Sequence, residues 1–137
     1  MEHQDLLSGV INFALYFSVS IAFLLIFKFA YTLVTPHDEW RLIKEQKSTA
    51  AAIGFGGAIL GFSLALAGAA TNSISIVDYA TWALIALVAQ CLAFAIIRFG
   101  FMPKIVQRIE DNEVSAGIML GVVNVAIGVL NAACMSY

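Results

Sequence analysis

Long uncharged runs alternate with short charged segments along this chain. Twenty-two residues separate Asp5 from Lys28, 30 separate Lys47 from Asp78, 19 separate Asp78 from Arg98, and 24 follow Glu113. A helix rising 1.5 Å per residue crosses a hydrocarbon core of roughly 30 Å in about 20 residues, so each run is long enough to span. Open strands leave backbone groups unpaired in lipid, whereas helices satisfy theirs internally. The pattern predicts an all-α polytopic membrane protein with four transmembrane helices near 8–34, 49–70, 79–101 and 115–136, in a single membrane domain over 1–137.

Composition removes the competing classes. Hydrophobic residues make up 61% and charged residues 12%, where a soluble domain carries roughly 25% charge. A mean hydropathy of +0.92 with a net charge of −2 excludes intrinsic disorder. Seven Lys and Arg against nine Asp and Glu cannot neutralise a row of phosphates, so no nucleic-acid partner is expected. Cys91 and Cys134 are too few for a disulfide scaffold and differ in depth by more than a disulfide reaches.

Charge also orients the chain. Lys28, Arg41, Lys44, Lys47, Arg98, Lys104 and Arg108 all lie at or between the first and second spans, or at or between the third and fourth. The opposite side carries Glu2, Asp5 and Asp78. The positive-inside rule therefore predicts cytoplasmic turns at 35–48 and 102–114 and both termini outside. The N-terminal segment lacks a basic region, so the first helix is expected to be retained as a span.

A shift of 66 residues lays Ile43, Glu45, Gln46, Thr49 and Ala50 over Ile109, Asp111, Asn112, Ser115 and Ala116. Pro36 and Pro103 precede the two stretches, as suits the first position of a new helix. The chain thus divides into repeat one, 8–70, and repeat two, 79–136, each a helix, a kink, an amphipathic turn and a helix. Two spans per unit make the repeats parallel, unlike inverted-repeat transporters. Thr35 and Asp38 suit a capped start for the first turn, and Trp40, Ile43, Ile105, Val106 and Ile109 are expected to rest on the membrane interface.

The runs Thr35-Pro36-His37-Asp38-Glu39-Trp40-Arg41-Leu42-Ile43-Lys44, Ala70-Thr71-Asn72-Ser73-Ile74-Ser75-Ile76-Val77-Asp78-Tyr79 and Asn131-Ala132-Ala133-Cys134-Met135-Ser136-Tyr137 resemble the YjfL-type inner-membrane proteins. The resemblance covers nearly the whole chain. It implies a multi-pass bacterial protein built from a duplicated two-helix domain without an assigned activity, at times encoded near envelope-stress proteins of the phage-shock type or polyamine-related enzymes. It carries over no catalytic residues.

Small and polar residues inside the spans point to internal packing. Gly117, Gly121, Asn124, Gly128 and Asn131 fall on one stripe of the fourth helix, and Ala50, Gly54, Gly57, Gly61 and Gly68 on one stripe of the second. Small residues let helix backbones approach where lipid removes the hydrophobic drive, so these two helices are expected to form the core. More small-residue surface than one protomer needs suggests a homo-oligomer. Phe13, Tyr16, Phe17, Phe23, Phe27, Phe29 and Tyr31 surround the first helix, as suits a lipid-exposed rod. Gln90 and Asn124 are expected near the midplane and bonded to each other, with Asn12 and Asn131 paired nearer the outside.

No carboxylate lies within a span, so carboxylate-coupled proton antiport has no residue to use. Lys28 and Arg98 reach the inner interface, where they either snorkel to headgroups or form a cationic mouth. His3 and His37 fall on opposite sides without neighbouring ligands, and no nucleophile, base and orienting group converge. The chain reads as a non-enzyme without cofactor or metal. Two functions fit: an oligomeric structural or partner-binding component of an envelope-stress system, with Trp40, Arg41, Lys44, Lys104 and Arg108 facing anionic lipid or a peripheral protein, or a homo-oligomeric channel or carrier lined by the buried amides.

Overall fold

The computed structural model describes residues 2–34, 39–97, 100 and 104–135. Six helices follow in order: α1 (Glu2–Val34), α2 (Glu39–Lys44), α3 (Thr49–Asn72), α4 (Ile76–Ile96), α5 (Ile105–Glu110) and α6 (Val114–Cys134). Among the described residues there is no strand, and α1, α3, α4 and α6 are each long and apolar enough to cross a membrane. Thr35, Pro36, His37, Asp38, Arg98 and Pro103, as well as the side chains of His3 and Trp40, lie outside the described part, so the roles expected of them stay expectations.

Two helix starts differ most from the sequence reading. The third span starts at Ile76 rather than 79 because Ser75 caps it: the Asp78 amide donates to Ser75 Oγ at 3.1 Å, and Asp78 Oδ2 accepts from the Ile74 amide at 3.0 Å. Asp78 therefore belongs to the first turn, where a negative charge complements the helix dipole. The helix that holds the first span extends back to Glu2, giving α1 33 residues against 24 or fewer for the others, while the apolar span within it runs Asp5–Leu33.

At the start of α3, Ser48 Oγ accepts from the Ala51 amide at 3.1 Å. Asn112 reaches across from the other turn, its Oδ1 accepting from the Ala50 amide at 3.0 Å and from Ser48 Oγ at 3.2 Å. Asn112 can do this because its φ of 57° turns the chain sharply between α5 and α6, a conformation asparagine tolerates better than most residues. One side chain thus ties the two turns together and caps a span. The register of 66 that overlays the turns also separates the starts of α2 and α5, whereas the starts of α3 and α6 lie 65 apart, the second turn being one residue shorter.

The helices α3 and α6 pack backbone to backbone. A Cβ placed on Gly57 would fall on Gly121, one on Gly61 on the Asn124 carbonyl, one on Gly117 on Ala50 and one on Gly128 on Gly61. Gly68 faces Ala132, with Cβ-to-Cα room of only 2.8 Å, and a Cβ on Gly121 would lie 2.8 Å from the Ile53 carbonyl. Gly54 differs, since the nearest atom to a Cβ there is the movable Leu120 Cδ2. Contact this close yields dispersion attraction along the whole seam, which holds helices together in lipid.

The short helices correct an expectation. Ile105 and Ile109 of α5 are buried in the protein core instead of resting on the membrane surface, and Leu42 of α2 is buried with them. They close the end of the bundle beneath α3 and α6, which leaves Ile43 and Val106 half-buried at its edge.

Candidate functional site: a polar junction in the bundle and a mixed-charge end

Four spans converge on one polar junction. Gln90 of α4 and Asn124 of α6 are fully buried, as is Tyr31 of α1. The Gln90 Nε2 donates to the Asn124 backbone carbonyl at 2.7 Å. Asn124 Nδ2 lies 3.4 Å from both Tyr31 Oη and the Gly54 carbonyl of α3. Gly61 makes room for this arrangement, since a Cβ there would come within 2.7 Å of Gln90 Nε2.

This differs from the expected amide-to-amide bond. The Asn124 side chain is turned toward Tyr31 and Gly54, and Gln90 takes its backbone carbonyl instead. Gln90 Oε1 and Asn124 Oδ1 are both buried without a hydrogen-bond donor. An unpaired buried acceptor costs roughly 1–3 kcal/mol, so the packing of α3 on α6 holds this junction at a cost.

Asn12 and Asn131 do not pair. Asn131 Nδ2 donates to the Ala86 carbonyl of α4 at 3.2 Å, whereas Asn12 is exposed on α1 beside Ala70 and Thr71 of α3. The sequence reading assigned both by depth alone and could not see that α1 leans on α4 through Tyr16 and Tyr79, whose rings stack at 5.1 Å. Tyr31 was grouped with the lipid-facing aromatics but belongs to the core with Phe27, both at 0% exposure. Phe13, Phe17 and Phe29 are exposed, by 67%, 54% and 67%. Phe27 and Tyr31 are four residues apart on one helical face, but so are the exposed Phe13 and Phe17, so spacing alone does not pick out the buried pair.

At the end capped by α2 and α5, Arg41, Lys44 and Lys104 are exposed and Arg108 is half-buried. Glu45, Glu110, Asp111 and Glu113 stand among them, so the face is mixed in sign. Arg41, Leu42, Gln46 and Glu110 line a pocket of about 200 Å³ there. Arg108 is engaged with Glu113 by two bonds, Nε to Oε2 at 2.8 Å and Nη2 to Oε1 at 2.5 Å. That pairing lowers the Glu113 carboxyl below the usual carboxylate range and raises the guanidinium further. Cys91 and Cys134 are both free, and no group of three metal-ligating side chains occurs among the described residues.

Apolar helices of spanning length, with Gln90 and Asn124 turned inward and basic side chains gathered at one end, define a polytopic integral membrane protein. The comparisons name its kind: residues 5–135 match the Domain of Unknown Function (DUF350), and the chain belongs to that family. It is 42% identical over 134 residues to the UPF0719 inner membrane protein YjfL of Escherichia coli (strain K12), covering 98% of this chain and 100% of the relative. It is 27% identical over 126 residues to the UPF0719 transmembrane protein YshE of Bacillus subtilis (strain 168), covering 90% and 92%. No solved structure matches. The protein is thus an integral inner-membrane protein of a family whose description assigns no activity.

Proposed function

We propose that the protein is a small membrane scaffold, with both termini outside, that presents its cytoplasmic end to a peripheral partner protein in an envelope-stress setting. The observation that carries this reading is where chemistry remains accessible. Along the spans, backbone contact between α3 and α6 leaves no room for a path through the protomer, and Gln90 and Asn124 face inward at 0% exposure. A pore between protomers would not be lined by them, which counts against the channel or carrier. The glycines at 54, 57, 61, 68, 117, 121 and 128 all meet atoms of the same chain, so they no longer argue for self-association.

What remains is the end formed by α2 and α5. Its alternation of Arg41, Lys44, Lys104 and Arg108 with acidic neighbours suits a complementary protein surface better than a uniformly anionic bilayer. The envelope-stress setting rests on the family resemblance. The two turns separated by 66 residues further suggest that the end arose by duplication.

A photo-crosslinking residue at Gln46, compared with one at Thr71, tests the proposal in living cells. A specific adduct at Gln46, lost in Arg41→Gln/Lys44→Gln/Lys104→Gln while insertion is unchanged, is the expected result. No adduct at Gln46, or one indifferent to the triple substitution, contradicts it.

A further inference from the structure

The helix α1 packs on the bundle through Tyr16, Val19, Phe23, Phe27 and Tyr31, but over its upper half the side that faces α3 is left open. Near the end where the termini lie, Tyr16 stacks on Tyr79, and Ser20 Oγ and Tyr79 Oη share a short hydrogen bond. Deeper, Phe27 stacks on Phe62 at 4.7 Å and Tyr31 lies 5.8 Å from Phe55. Opposite the upper half of α1, helix α3 presents Ser63, Ala67 and Ala70, which are too small to fill the space. Two adjoining hollows result, of about 450 and 240 Å³, both lined by Ala70.

Chemistry is graded along this groove. Its wall hydroxyls are already bonded within the protein: Ser20 Oγ to the Tyr16 carbonyl at 2.6 Å, Ser63 Oγ to that of Ile59 at 2.8 Å, and Thr71 Oγ1 to that of Ala67 at 2.7 Å. No donor is left there for a polar ligand. At the rim, beside Thr71 in the last turn of α3, the Asn12 amide and the Tyr16 hydroxyl lie one turn apart on α1, and neither has a hydrogen-bond partner among the described residues. From Asn12 to Leu24 the groove runs 12 residues of α1, about 18 Å, close to the roughly 15 Å depth of one leaflet's hydrocarbon.

We propose that this groove is a binding site for one phospholipid of the leaflet on the side of the termini. One acyl chain lies between α1 and α3, and the Asn12 amide and Tyr16 hydroxyl donate to the ester or phosphate oxygens at the rim. An apolar channel of one leaflet's depth with two donors at its polar end matches a chain joined to an oxygen-rich headgroup. The lipid would wedge α1 against the bundle where side chains do not.

Native mass spectrometry of protein extracted in a mild detergent, then stripped and retitrated with phosphatidylethanolamine and phosphatidylglycerol, tests this. The expected result is one retained phospholipid per protomer. Ala67→Phe/Ala70→Leu, which fills the groove from an exposed helix face, is expected to lower the lipid-bound fraction about tenfold, and Asn12→Leu about threefold, with helicity unchanged. Equal lipid occupancy in wild type and both variants overturns the proposal, as does wild-type protein that carries no phospholipid on extraction and takes up none on retitration. A wild type that is dimeric, with a monomeric groove-filled variant, overturns it in favour of a second copy as the occupant.

Discussion

The seam between α3 and α6 and the seat of α1 solve the same problem in lipid by opposite means. Between α3 and α6 the side chains have been reduced to hydrogen, so carbonyls and Cα atoms touch along the helices. Between α1 and the bundle, larger side chains, aromatic rings foremost, make the contact and leave a groove on the side that faces α3. Water cannot drive either association within the hydrocarbon, so only packing and hydrogen bonds hold them. The first means gives a rigid interface intolerant of any added atom; the second gives a helix held by a few separable anchors. The polar junction lies where the two meet, with Tyr31 of the loosely held helix set against Asn124 of the tightly held one.

Substitutions at the seam should have the largest effect. Gly128→Val drives a branched side chain into the Gly61 backbone and is expected to cost about 3 kcal/mol or more, seen as loss of folded protein in a steric-trap or detergent-unfolding measurement. Phe27→Ala removes the ring stacked on Phe62 and is expected to cost about 2 kcal/mol, the packing part of a core truncation without the water-transfer part that lipid removes. Limited proteolysis should then cut α1 before the other spans. Equal release of all four helices would erase the contrast drawn here.

At the junction the expected change is smaller. Gln90→Leu loses one bond to the Asn124 carbonyl but also removes an acceptor that has no donor, so stability should move by no more than about 1 kcal/mol. A loss of several kcal/mol would show that Gln90 Oε1 is engaged in the membrane.

The smallest effect belongs to the exposed pair at the capped end. Arg108 lowers the Glu113 carboxyl, so the folded state favours the carboxylate. The resulting stabilisation is present above the unfolded carboxylate value and is lost as pH falls through the lowered folded one. Glu113→Gln should therefore flatten the acid limb of a thermal-stability profile and leave its neutral part nearly unchanged. An unaltered acid limb would show that the pair contributes nothing in solution.

Much of this body was legible in the residue order, for identifiable reasons. Charges cut the chain at intervals that match a bilayer, and glycines spaced by three and four can only make a close-packing stripe. Three features were not legible. Asn112 caps a helix 62 residues earlier in the chain, a pairing that depends on how the two turns dock. Tyr31 is one aromatic among many on α1, and only the tilt of that helix decides which rings reach the core. Gln90 bonds a backbone carbonyl because the Asn124 amide is turned toward Tyr31 and Gly54, which depends on how four helices pack and which hydropathy cannot register.

The contact of α3 with α6 through bare backbone is the claim on which the fold rests, and two alanine substitutions five residues apart on α3 test it most directly. A Cβ on Gly61 would overlap the Asn124 carbonyl, whereas a Cβ on Gly56 meets nothing within 4 Å. Measured by steric trapping in the same bicelles, Gly61→Ala should destabilise the protein clearly, while Gly56→Ala should be neutral or slightly stabilising. Equal effects from the two substitutions, or a larger loss at Gly56, would contradict the interface described.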